Sequence, residues 1–162
     1  MIKRKTARCL LVIGIFFCIA CSDKSSLAAY YDYETECLGT EYDGSLTLRA
    51  WGDGNTRQDA IDQAVKRAIH DVVFVGITKG LSGHLSKPLL LEVNAEEKYE
   101  DYFNKFFADR GGDFRKFANF KDEKENSVQV VENRQVYKYG VTVRVLRADL
   151  KAKLKEDGII KN

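Results

Sequence analysis

Histidine, proline and cysteine are scarce in this chain, and each shortage removes a class of function. Only two histidines occur, His70 and His84, and neither has a second His or a Cys at ligand spacing, so the sequence offers no metal set. One proline, Pro88, and the absence of internal repeats or low-complexity runs leave no rigid linker that would divide the chain into domains. The four cysteines are too unevenly placed for a disulfide framework: Cys9, Cys18 and Cys21 crowd into the leading segment and leave Cys37 alone. A solitary thiol of this kind is either buried and inert or paired between molecules. The inert reading is preferred, because no basic neighbour is there to activate it. No apolar run reaches the roughly 20 residues that cross a bilayer as a helix. Neither a Gly-Lys-Ser/Thr phosphate loop nor a G-x-S-x-G nucleophile elbow is present.

What is present begins with export. Lys3, Arg4, Lys5 and Arg8 precede an apolar run from Leu10 to Ile19, the pattern of a secretory signal. Cys18-Ile19-Ala20-Cys21 resembles the lipobox of bacterial lipoproteins, with Cys18 at the position that family usually fills with Leu. The resemblance implies that residues 1–20 are removed and that Cys21 becomes a fatty-acylated, palmitate-bearing N-terminus. The alternative is simple secretion with cleavage after Ala28, since Ser26-Leu27-Ala28 fits a small-x-small rule. Ser22, with no Asp after the cysteine, implies the outer membrane by resemblance to the sorting rule of enteric bacteria. The stretch Ser22-Asp23-Lys24-Ser25-Ser26 is similar to the tethers of Bacteroidetes lipoproteins, some of which reach the cell surface. Loss of residues 1–20 takes four basic and no acidic side chains from a total of 26 basic and 24 acidic, and leaves a net charge of −2. Nothing in that balance supports a nucleic-acid footprint, which needs a clustered excess of Lys and Arg on one face.

About 140 remaining residues suit one domain with its own core. Residues 21–44 read as the lipidated end and a tether, and 45–162 as a single α+β domain. Within it, Leu46, Leu48 and Ala50 alternate with Thr47, Arg49 and Trp51, which predicts a strand with one buried face. Thr56 with Asp59 three residues on predicts a helix start, and Ala60, Ile61, Ala64, Val65, Ala68 and Ile69 recur on one helical face. Val72 to Ile77 reads as a short β-rich run. Asn94-Ala95-Glu96-Glu97 resembles a capping box, followed by an aromatic stripe of Tyr99, Tyr102, Phe103, Phe106 and Phe107 and a Gly111 able to end the helix. Stripes of large rings are mostly core. Phe114 to Phe120 reads as a strand, Lys121 to Asn126 as a charged turn and Val128 to Val131 as the returning strand. Tyr137 to Val145 alternates clearly, and a last helix with Leu150 and Leu154 ends at Gly158-Ile159 in a Schellman pattern. The succession lacks regular βα alternation. It predicts α+β: a mainly antiparallel sheet with two or three helices packed on one face.

The stretch Gly52-Asp53-Gly54 is the one place where the sequence hints at a ligand, since two glycines before a helix can offer backbone amides to a phosphate. The dinucleotide fingerprint needs a third glycine where Arg57 stands, and Asp53 puts a negative charge where the anion would sit. A strand-to-helix turn is the expected reading, and no cofactor is assigned. Glu96, Glu97, Glu100 and Asp101 read as a solvated helix face, and His70 as a favourable charge at a helix C-terminus. No catalytic residues emerge.

The G-x-G-x-T turn feeding an Ala-rich helix, residues 45–77, resembles a domain found in small envelope lipoproteins and at the N-terminus of a flagellar-assembly protein of Gram-negative bacteria. Tyr102-Phe103 to Phe106-Phe107, Gly111-Gly112 and the ending Leu146-Arg147 to Gly158-Ile159-Ile160 resemble uncharacterised Bacteroidetes lipoproteins. These resemblances imply structural or assembly roles and no catalytic residues. The expectation is a non-catalytic protein held at the outer membrane by lipid on Cys21, binding another envelope protein or a glycan. The alternative is a periplasmic or surface hydrolase whose site is assembled from distant residues, His84 and the acidic helix among them.

Overall fold

The structure, a computed structural model, describes residues 33–81, 85–120, 129–132 and 136–161. Cys21, the leading segment and His84 lie outside the described residues, as does the charged turn at 121–126. One compact unit starts at Tyr33. Its strands are β1 (Glu36–Thr40), β2 (Leu46–Gly54), β3 (Lys79–Gly80), β4 (Ala118–Phe120), β5 (Gln129–Glu132) and β6 (Val136–Val145). Its α-helices are α1 (Arg57–His70), α2 (Ala95–Lys98), α3 (Glu100–Phe106) and α4 (Arg147–Glu156). The fold is α+β, with sheet order β3-β1-β2-β6-β4 and β5 also paired to β6. Every strand pair is antiparallel except β1 with β3.

The centre of the sheet follows from alternation. Leu46, Leu48 and Ala50 of β2 and Val141, Val143 and Val145 of β6 are buried on the face that receives α1. In α1 the six apolar residues at helical spacing, from Ala60 to Ile69, are all buried against it. Each of the larger ones contributes on the order of 1.5–3 kcal/mol by leaving water. The helix starts at a complete capping box: the Asp59 amide donates to Thr56 Oγ1 at 3.1 Å and the Thr56 amide donates to Asp59 Oδ2 at 3.2 Å. At the other end of the chain, the Ile159 amide donates to the Leu154 carbonyl at 2.9 Å and the Gly158 amide to Lys155 at 3.0 Å, with Gly158 at φ 74°. That is the Schellman arrangement, and it folds Ile159 back into the core beside Leu154.

Five local readings are corrected. Residues 36–40, inside the span assigned to the tether, form β1, which is stitched to β2 across a turn closed by Asp43. That carboxylate accepts from the Ser45 hydroxyl at 2.6 Å and the Ser45 amide at 3.0 Å; these two bonds, with a smaller contribution from the ion pair to Arg144, pull its pKa down to about 2. The folded unit therefore begins before Ser45. The β-branched run after His70 is not a strand: Asp71–Val75 continues α1 as a π-helical turn closed by the Gly76 amide on the Asp71 carbonyl at 2.6 Å. Continuity with a stable helix overrides the local β preference. Asn94 has φ 61° and makes no side-chain cap, and the following helix is broken at Tyr99 into α2 and α3. Asp113–Phe117 is a 3-10 turn that buries Phe114, so only Ala118–Phe120 of the expected strand is extended. Finally, β5 does not return along β4; both pair with β6, β4 opposite 143–145 and β5 opposite 136–139.

Candidate functional site

Two concavities flank the Gly52-Asp53-Gly54 corner, and the corner itself is shaped by packing. A β-carbon on Gly52 would lie 2.2 Å from the Ala60 carbonyl oxygen and 2.3 Å from the Ala64 amide nitrogen. On Gly54 it would lie 2.5 Å from the Ala60 nitrogen. The glycines thus let α1 lie directly on β2, and β2 continues through them to Gly54 instead of breaking at Gly52. The two amides that close the capping box, those of Thr56 and Asp59, are already satisfied within it. Around the corner, Asp53, Asp59, Asp62 and Asp109 line a shallow space of about 460 Å³, with Arg115 paired to Asp62 at 3.1 Å. An incoming phosphate would meet four carboxylates there. Among the described residues, no group of three or more His, Cys, Asp or Glu side chains is placed to hold a metal ion.

The second concavity is an open cleft of about 770 Å³ between α1 and the α2–α3 segment, with β2 at Trp51 to Asp53 along one end. Gln63, Lys66, Arg67 and His70, on the flank of α1 that turns away from the sheet, form one wall. Glu96, Glu97, Glu100 and Asn104 form the other, with Phe103 and Phe107 between them. His70 bridges the walls: Nε2 lies 3.3 Å from Glu96 Oε1, and Nδ1 lies 3.4 Å from Asp71 Oδ1. The hydrogen bond to Asp71, reinforced by Glu96 and opposed by burial, raises the pKa of His70 above its ordinary value. The Thr35 hydroxyl, almost wholly buried, donates to the other Asp71 oxygen. The order is therefore hydroxyl, carboxylate, imidazole, carboxylate. With a carboxylate against each ring nitrogen, the protonated imidazole is favoured and neither nitrogen is left free for a hydroxyl, which is the opposite of a nucleophile–base pair.

Comparison with protein-family models, with curated proteins and with solved structures gives no match for this chain. The site is read from geometry alone.

The acidic helix is not merely solvated. Three of its carboxylates face the basic flank of α1, while Asp101 lies outside the cleft lining. The aromatic stripe divides as large rings usually do: Phe103 and Phe106 are buried, and Tyr99, Tyr102 and Phe107 pack half-buried against the core. Phe106 stacks on Phe117 at 6.0 Å and Phe107 contacts Phe114 at 6.1 Å. The Tyr102 hydroxyl donates to Asp157 at 2.6 Å, and burial with that bond raises its pKa. Sequence reading missed the cleft because its walls lie some 30 residues apart in the chain. The only advance signal was the polar flank Gln63, Arg67, His70, spaced at one helical turn.

Proposed function

We propose that the chain is a lipid-anchored protein of the bacterial cell envelope, held at the outer membrane through acylated Cys21, that binds another envelope component without catalysing a reaction on it. The lipobox-like run Cys18 to Cys21 supports the anchor, and the outer-membrane assignment follows the residue after the cysteine. The observation that carries binding over catalysis is the placement of His70, with Asp71 and Glu96 against its two ring nitrogens in the cleft between α1 and the α2–α3 segment. A cleft with charged walls and an aromatic floor offers contacts that orient a partner.

Two or more acyl chains would give stable anchoring, at about 0.8 kcal/mol per buried CH₂. Fractionation of cells producing Cys21→Ala is the test of the anchor. The expected result is transfer of the protein from the membrane pellet to the soluble fraction; a variant still in the pellet, or a mature parent chain starting at Ala29, would overturn it. For binding, site-specific crosslinking from Asn104 should trap one envelope component. Turnover of peptidoglycan, ester, phosphate or glycoside substrates by the purified protein would replace this reading with the hydrolase.

A further inference from the structure

The charges of the cleft do not cancel internally, and the residues left over on the two walls have opposite signs. His70 and Glu96 satisfy one another, Lys66 is drawn away to Asp109 at 2.5 Å, and Asp53 is engaged by Lys138 at 3.5 Å. The side chain of Arg67 on the α1 wall makes no hydrogen bond or ion pair among the described residues, and neither do the side chains of Glu97 and Glu100 on the facing wall. Arg67 sits one helical turn, roughly 5 Å, from the His70 bridge. The unpaired guanidinium offers a planar fork that matches a carboxylate, and the two free carboxylates offer acceptors to an ammonium group. Half-buried Phe107, with the edge of buried Phe103, supplies apolar surface in the cleft lining.

We infer that this cleft is a binding site for a short peptide with both termini free, its carboxylate on Arg67, its amino group on Glu97 and Glu100, and its body against Phe103 and Phe107. The inference rests on the reading of the protein as a binder and names the chemical class it binds. A zwitterion is the ligand whose two charges are both answered here. A phosphorylated ligand would meet Glu97 and Glu100 unpaired, and a polycation would meet the unpaired Arg67, so like-charge contacts disfavour each. The volume, about 770 Å³, falls within the roughly 300–1,000 Å³ of small-ligand sites.

Calorimetric titration of the full-length protein, purified in detergent, tests the assignment with trialanine, its N-acetyl form and its C-terminal amide. Saturable binding of trialanine is expected, weakened about fivefold or more by either cap. In Arg67→Ala the amide should bind as well as the free acid, while discrimination against the N-acetyl form persists. In Glu97→Gln/Glu100→Gln the pattern should invert. All three positions are exposed, so circular dichroism of the variants should match the parent. No saturable binding of trialanine, equal binding of the capped forms by the parent, or unchanged discrimination in both variants would overturn the proposal. Fractionation of the same cells separates the two readings. Trialanine binding by protein that is not held at a membrane would sink the anchor and leave this site standing. Absent binding by membrane-held protein would overturn this site alone.

Discussion

Gly140 lies under the indole of Trp51. A β-carbon at Gly140 would approach Cη2 and Cζ3 of the ring to 3.0 Å, and the same ring meets Tyr33 edge-on at a centroid distance of 5.2 Å. Lys138 Nζ stands 3.8 Å from the centroid of Tyr33. The start of the folded unit is thus fastened to the sheet on the side away from α1, through the chain's one tryptophan. Gly140→Val should push Trp51 off β6, shift its fluorescence maximum and lower stability by about 1–3 kcal/mol, as overpacking does. An unshifted emission maximum with an unchanged urea midpoint would show that the ring does not rest there.

At the corner between β2 and α1, steric contact and capping make separable contributions. Gly52→Ala places its new methyl group against backbone atoms of Ala60 and Ala64, which cannot rotate away. The expected cost is about 3 kcal/mol or more. Thr56→Ala removes only the cap and should cost roughly 1 kcal/mol. Urea denaturation of the two variants should rank them in that order. ATP, NAD or phosphate should leave the melting temperature of the parent unchanged, and a saturable rise with any of them would assign the glycines to ligand binding.

His70 gives stability a pH dependence with a definite sign. Its folded-state pKa is raised above 6.5, chiefly by the hydrogen bond to Asp71 and further by Glu96. The folded form holds its proton more tightly than the unfolded chain, so this contribution is fully present below about 6.5. It is lost as pH rises through the higher, folded value. The urea midpoint of the parent should therefore fall between neutral and mildly alkaline pH relative to His70→Asn, in which that component is absent. Parallel pH profiles for the two proteins would show that the bridge carries no linkage.

Cys37 is fully buried in β1, with Sγ 3.5 Å from the Gly39 carbonyl oxygen. It should resist alkylation in the native protein and react only after denaturation, as read by peptide mass mapping. Rapid labelling of Cys37 under native conditions would place β1 outside the sheet.

The parts of this fold legible in the sequence were those whose cause is local. Thr56 and Asp59 cap their own helix, Leu154 and Gly158 close theirs, and the apolar rows of β2, α1 and β6 repeat at the period of their element. The parts that were not legible depend on a distant partner. β1 contains few apolar residues and is extended because β2 pairs with it, with a register shift between Cys37 and Gly39. Asp71–Val75 has the composition of a strand but inherits helical backbone from α1. Likewise, each wall of the cleft reads separately as an ordinary polar helix face. Only the tertiary contact between His70 and Glu96 reveals that they oppose one another.

The position of β6 governs when this chain is able to fold. β4 and β5 pair with it, and β2 takes one of its two neighbours from it, yet it is the last strand in the order of synthesis. Until residue 145 has emerged, β1, β2 and α1 can meet one another, but the open edge of β2 and the strands β4 and β5 have nothing to close on. A chain threaded N-terminus first through a translocation channel would therefore stay unlocked until nearly its full length had passed. The same arrangement predicts that a ribosome-stalled or C-terminally clipped product would be proteolysed or aggregate rather than persist as a partial domain.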